Sequence, residues 1–150
     1  YYLLQDFMDD ETAWFNYYTK IKSIPTNNKR IIHSDLKKYL LINPESPKIL
    51  SSIGWIYAEL GDIKAFERYS IDAYDLIKDK KNKPYWIIFN YGSAMLSKGE
   101  IDDAERVYRE AIKLSGDPSI IDTLNKDLEV LEKISPELQK SVAEIRKRLF

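Results

Sequence analysis

The sequence predicts an all-α chain of antiparallel helix pairs. Three observations carry that expectation. Apolar residues recur at three- and four-residue intervals along most of the 150 residues, Ser-Pro and Asp-Pro pairs punctuate the chain, and one block of sequence returns after 38 residues. The periodicity puts apolar side chains on one face of a helix. A Ser or Asp ahead of Pro supplies a capping oxygen next to a residue that has no N–H to lose, which is how helices begin. No run shows the strict alternation of a half-buried strand.

Helices are expected at about 9–23, 30–42, 47–60, 63–78, 84–98, 101–115, 118–134 and 136–149. The first holds "AWFNYY", residues 13–18, and is followed by the longer loop "SIPTNNKR"; the second ends in "LKKYLLINPES", residues 36–46. Ser46-Pro47 opens the third, whose stripe is Ile49, Ile53, Ile56, Tyr57 and Leu60, and Gly61 ends it as a left-handed residue. The fourth carries Phe66 and Ala73. It leads into "KDKKNKP", residues 78–84, read as a solvated connection, with a phosphate contact as the alternative. Ile88, Gly92 and Met95 lie on the fifth, which Gly99 ends, and Ala104, Val107, Tyr108, Ala111 and Ile112 make the stripe of the sixth. Asp117-Pro118 opens the seventh, with Leu124, Leu128 and Leu131, and Ser135-Pro136 opens the eighth, with Leu138, Val142, Ile145 and Leu149. Short connections make successive helices antiparallel neighbours.

Composition narrows the function. With 23 basic and 24 acidic side chains the net charge is −1, so no global field draws the chain to nucleic acid or anionic lipid. The absence of Cys removes thiol chemistry and zinc thiolate sites and is compatible with any compartment. No stretch has the length and apolarity of a membrane span, nor is there a secretory leader, which favours the cytoplasm. A start at Tyr1 without Met suggests a piece of a longer chain. His33 is the sole His and sits in "IIHSDLKKY", which reads as a helix start; there is no nucleophile elbow and no Gly-rich phosphate loop. Asp9, Asp10 and Glu11, like Glu100, Asp102 and Asp103, lack metal-loop spacing and charge helix N-termini instead. The chain is expected to be no enzyme and to hold neither cofactor nor metal.

"GDIKAFERYSIDAY", residues 61–74, and "GEIDDAERVYREAI", residues 99–112, share one frame, and Gly54, Gly61 and Ala73 map onto Gly92, Gly99 and Ala111. With Ile88, Tyr91-Gly92, Met95, Gly99, Ala104, Tyr108 and Ala111 in one unit, and Leu50, Ile53-Gly54, Tyr57, Gly61, Phe66, Ser70 and Ala73 in the other, the sequence resembles the tetratricopeptide repeat family. Gly54 and Gly92 fall mid-helix, where Gly costs about 1 kcal/mol relative to Ala, so a close helix approach must offset the loss. The second copy exchanges large and small residues with the first, Ala104 for Phe66 and Tyr108 for Ser70. The expectation is that Phe66 is buried and lies near Gly54, with Ser70 leaving room behind it, while Ala104 faces Gly92. The resemblance implies one domain over 1–150, with a divergent unit at about 9–46, units at about 47–83 and 84–117, and a cap at 118–150. It implies a right-handed superhelix of stacked pairs, closed by the last two one-sided helices.

The same resemblance implies function. First helices of the family's units line a concave groove for a peptide segment of a partner protein. Carried over, the groove presents Phe15, Asn16 and Thr19, then Ser51, Ser52, Trp55 and Glu59, then Trp86, Phe89, Asn90 and Ser93. That is an aromatic floor with amide and hydroxyl edges, suited to a peptide backbone; the competing use of each ring is packing against a neighbouring helix. The clamp by which some members grip chaperone C-termini needs Lys, Arg and Asn where this chain has Phe15, Thr19, Ser52, Trp86 and Asn90, and only the last fits. Two other readings stay open. One is a regulatory or structural helical domain of a larger enzyme or receptor. The other is a half-a-TPR scaffold of RNA-processing assemblies, suggested by Trp14 to Tyr17 and "AERVYREAI" and acting through protein contacts.

Overall fold

The structure, a computed structural model, describes residues 45–150 together with Ser34, Lys37, Lys38, Leu40 and Leu41. The expected helix at about 9–23 therefore lies outside the described residues, while those five isolated positions of the next are helical. Six helices and no strand follow among the described residues: α1 Pro47–Glu59, α2 Ile63–Ile77, α3 Tyr85–Ser97, α4 Ile101–Ser115, α5 Ile120–Ile134 and α6 Pro136–Leu149.

Their ends obey local chemistry. The Ser46 hydroxyl accepts from the Ile49 N–H at 3.3 Å and Pro47 takes the first position of α1. The Ser135 hydroxyl accepts from the Glu137 N–H at 3.2 Å ahead of Pro136. Asp117-Pro118 behaves differently. The Asp117 carboxylate accepts from both the N–H and the hydroxyl of Ser119 at 2.9 Å, so Pro118 and Ser119 form a turn and α5 starts at Ile120.

Gly61 and Gly99, at φ of 86° and 80°, reverse the chain at the ends of α1 and α3. The Asp62 N–H bonds the Tyr57 carbonyl at 2.9 Å and the Gly61 N–H that of Ala58 at 3.0 Å; Glu100 to Met95 and Gly99 to Leu96 repeat the arrangement. Asp62 closes one helix with its backbone and opens the next with its carboxylate, which accepts from the Ala65 N–H. So tight a link leaves α2 no direction but back along α1, and α4 likewise returns along α3. These two hairpins pack side by side through α2 and α3.

Mid-helix glycines set the closeness of each hairpin. A Cβ on Gly92 would stand 2.9 Å from two ring atoms of Tyr108, and one on Gly54 would stand 3.1 Å from the Ser70 hydroxyl and 3.2 Å from the Tyr69 Cβ. Phe66 is fully buried, as expected. The partners of the two glycines differ from expectation: Tyr108 covers Gly92 in place of Ala104, and Ser70 covers Gly54 while only the backbone carbonyl of Phe66 comes near. The Phe66 ring instead meets Trp55 edge-on at 5.9 Å.

The 38-residue frame explains why. Trp55 corresponds to Ser93 and Ser70 to Tyr108, so the helix that supplies the ring is reversed between hairpins; Phe66 and Ser51 likewise trade with Ala104 and Phe89. Each hairpin encloses two rings, Trp55 with Phe66 and Phe89 with Tyr108, the latter at 6.1 Å. Volume is held while positions move, the kind of change that packed cores tolerate.

Candidate partner-binding groove

α1 and α3 are the helices that carry the groove residues expected from sequence. They are joined by Asn90, whose side-chain amide donates to the Ser51 hydroxyl at 2.6 Å and to the Ser51 carbonyl at 3.3 Å. On the same face of α3, the Ser93 and Tyr108 hydroxyls share a hydrogen bond of 2.7 Å. Phe89 lies against Tyr108 and against Tyr85, the latter at 6.0 Å. Burial in this apolar setting pushes the Tyr108 phenol well above its ordinary value; the bond from Ser93 works against that shift, and the Asp127 carboxylate of α5 adds to it.

α5 runs beside this region. It leaves the end of α4 and reaches the end of α1, where Val130, Lys133 and Ile134 line a cavity of about 400 Å³ together with Glu59, Leu60 and Gly61. Between those points it brings Asp127 within electrostatic reach of Tyr108. Its stripe of Ile120, Leu124, Leu128 and Leu131 is buried, while Asp122, Thr123, Lys126 and Glu129 face solvent. α6 packs on α4 and α3. Near its end the Arg148 guanidinium donates to Asp102 at 2.6 Å and Glu105 at 3.1 Å, and Arg109 donates to the Arg148 carbonyl at 2.7 Å. Asp102, read from sequence as a helix-terminal charge, is thus also an ion-pair partner.

Enclosure divides the expected groove residues. Phe15, Asn16 and Thr19 lie outside the described residues. Ser52 is buried, its hydroxyl donating to the Lys48 carbonyl at 2.8 Å, and Phe89, Asn90 and Ser93 are buried as well. Ser51 is buried with them, and the polar groups of Ser51, Ser52, Asn90 and Ser93 bond within the chain. Trp55, Glu59 and Trp86 remain partly exposed, Trp55 with one edge on Phe66 and Trp86 against the core. Sequence reasoning missed the part played by α5. Its Leu stripe was legible, but spacing along one helix does not say which surface the stripe meets.

Tyr74 and Tyr91 stack at 3.9 Å across α2 and α3, with desolvation raising both phenols, and Lys83 of the basic loop pairs with Glu110 at 3.6 Å. Among the described residues no group of three or more His, Cys, Asp or Glu side chains is placed to hold a metal. Among them, too, no helix is long and apolar enough to cross a membrane.

Comparison with known proteins bears on the α3–α4 hairpin and on the whole fold. The family model for the tetratricopeptide repeat matches residues 87–118. A solved structure named MamA MSR-1 C2 superposes with a TM-score of 0.52 at 14% identity, over 97% of this chain and 84% of that one. No curated protein matches the sequence. The second described hairpin thus carries a tetratricopeptide repeat, and the chain as a whole shares the fold of that solved structure.

Proposed function

We propose that the chain is a non-catalytic protein-interaction module that receives a segment of a partner protein on its α1–α3 side, with Trp55, Glu59 and Trp86 at the rim of contact. The observation that carries this reading is the family's repeat at residues 87–118, joined to a neighbouring hairpin whose equivalent face keeps large amphipathic side chains partly exposed. Trp suits a surface that alternates between solvent and a partner, and such rings dominate binding energy where they become desolvated. Units at about 9–46, 47–83 and 84–117 with a cap at 118–150 form one domain in this proposal, and the near-neutral charge supports a protein partner over nucleic acid.

The test places a photo-crosslinking amino acid at Trp86 and, as a control, at Asp72, which is exposed on α2. A discrete partner adduct from position 86 and none from 72 is the expected result. Equal labelling from both positions, or adducts from 72 alone, would move the interaction surface off the α1–α3 side.

A further inference from the structure

An amphipathic helix laid with its apolar face into a hydrophobic groove is a standard mode of peptide recognition. α5 has that form and that place. Its buried residues are spaced four, four and three apart, from Ile120 through Leu124 and Leu128 to Leu131, and its opposite face is charged. It runs from α4 to α1, and midway along it Asp127 lies within electrostatic reach of Tyr108, whose hydroxyl bonds Ser93 of α3. α3 itself, packed among α1, α2, α4 and α6, has nine buried residues out of 13. At the far end of α5, Val130, Lys133 and Ile134 border a cavity with Glu59, Leu60 and Gly61 of the α1 terminus.

α5 is entered and held as follows. A turn at Gly116, φ 62°, with Asp117 and Pro118 leads into it, and, as for α3 and α4, no side-chain bond caps its N-terminus. Glu132 is tied to α6 through an ion pair with Arg146 and a bond from the Gln139 amide. α6 in turn meets α4 through the Arg148 ion pairs with Asp102 and Glu105, and its Leu138, Val142 and Ile145 are buried. The α5–α6 pair is thus joined to the body covalently by one short turn and otherwise by side-chain packing and the Arg148 ion pairs.

We infer that α5 is a groove ligand held in cis, and that the partner class this surface accepts is an amphipathic helix carrying the same four-four-three apolar stripe, which competes with α5 for the site. The inference rests on the proposed interaction surface and adds the shape of its occupant and the regulation of access to it. Partner binding requires the α5–α6 unit to open, so the affinity observed for the closed chain is lowered by the fraction of open molecules.

The experiment uses the 150-residue chain, a variant with Leu124→Asp and Leu128→Asp, and a fluorescein-labelled synthetic peptide of residues 118–135 as probe. Hydrogen exchange first establishes whether α1–α4 stay protected in the variant. Expected is protection retained in α1–α4 and lost in α5, with peptide affinity by fluorescence anisotropy at least tenfold tighter than for the unaltered chain. A peptide bearing the same two Asp substitutions should bind neither protein. Loss of protection throughout the variant would overturn the inference by showing α5 to be indispensable core. Equal peptide affinity for variant and unaltered chain would overturn it as well. In the unaltered chain, α5 amides should exchange through an opening less costly than that of α3; exchange of both only by global unfolding would count against it. Crosslinking from position 86 reports separately on the interaction surface, so either reading can fail while the other stands.

Discussion

Adding one methyl group at Gly92 should destabilise the protein, whereas adding the same group at Gly54 should not. The substitution is Gly→Ala in mid-helix both times, and in each case it gains about 1 kcal/mol of helix propensity. What differs is the neighbour. At Gly92 the new Cβ lies 2.9 Å from Cδ1 and Cε1 of Tyr108, a ring that is fully buried, bonded through its hydroxyl to Ser93 and packed on Phe89. Relief requires moving the ring or parting the helices, and overpacking of that kind costs about 1–3 kcal/mol. The net loss is then up to about 2 kcal/mol, or as much as roughly 8 °C in Tm for a chain of this size. At Gly54 the closest atoms are the Ser70 hydroxyl at 3.1 Å, which can turn aside, and the Tyr69 Cβ at 3.2 Å, which must yield by a few tenths of an ångström, so the propensity gain and the contact cost nearly cancel. Urea unfolding followed by far-UV circular dichroism, with unchanged m-values, measures both variants. Stabilities that agree within about 0.3 kcal/mol would refute the argument that Tyr108, and not the glycine itself, sets the requirement at residue 92.

Tyr108→Phe removes the bond to Ser93 and leaves a buried hydroxyl without its partner, an expected loss of about 1–3 kcal/mol in the same denaturation assay. The unaltered chain should also lose stability as pH rises above about 10. The Tyr108 phenol has a raised folded-state value, so its contribution is fully present below the unfolded value and disappears as the unfolded chain alone releases the proton. Tyr74 and Tyr91 share the direction, so Tyr108→Phe should flatten the alkaline slope without abolishing it; an unchanged slope would remove Tyr108 from the account. Ser70→Ala should raise stability by about 1 kcal/mol, because the buried Ser70 hydroxyl has no hydrogen-bond partner among the described residues. A loss there would mean that the hydroxyl is satisfied.

What the sequence made legible follows from the range over which each signal acts. Helix starts at Ser46-Pro47 and Ser135-Pro136, and stops at Gly61 and Gly99, depend on atoms within a few residues, and they stand where the pattern put them. Asp117-Pro118 looked equivalent. Ser119 offered the Asp117 carboxylate a nearer donor pair, and a turn formed before the helix. The repeat frame was readable from glycines and alanines, but the partner of each glycine was not. A 38-residue alignment pairs Phe66 with Ala104 and Ser70 with Tyr108 along one helix, and it invited a compensation along that helix. The compensation runs across the hairpin: Trp55 stands where Ser93 does, so a ring from α1 occupies the place that a ring from α4 occupies next door.

The same limit applies to the groove. Trp55, Phe89, Asn90 and Ser93 were read as one aromatic floor because they share a face of their helices, and a shared face is a local property. What lies over that face is not local, and the leucine stripe of α5 reads identically whether it ends the stack or lies across it. Asn90 bonded to Ser51, Ser93 bonded to Tyr108 and the Asp127 charge acting on that tyrosine are three polar relations spanning 15 to 39 residues, and no periodicity encodes them. A helical stripe therefore identifies a surface that will be covered; the neighbour that covers it is set by the path of the chain.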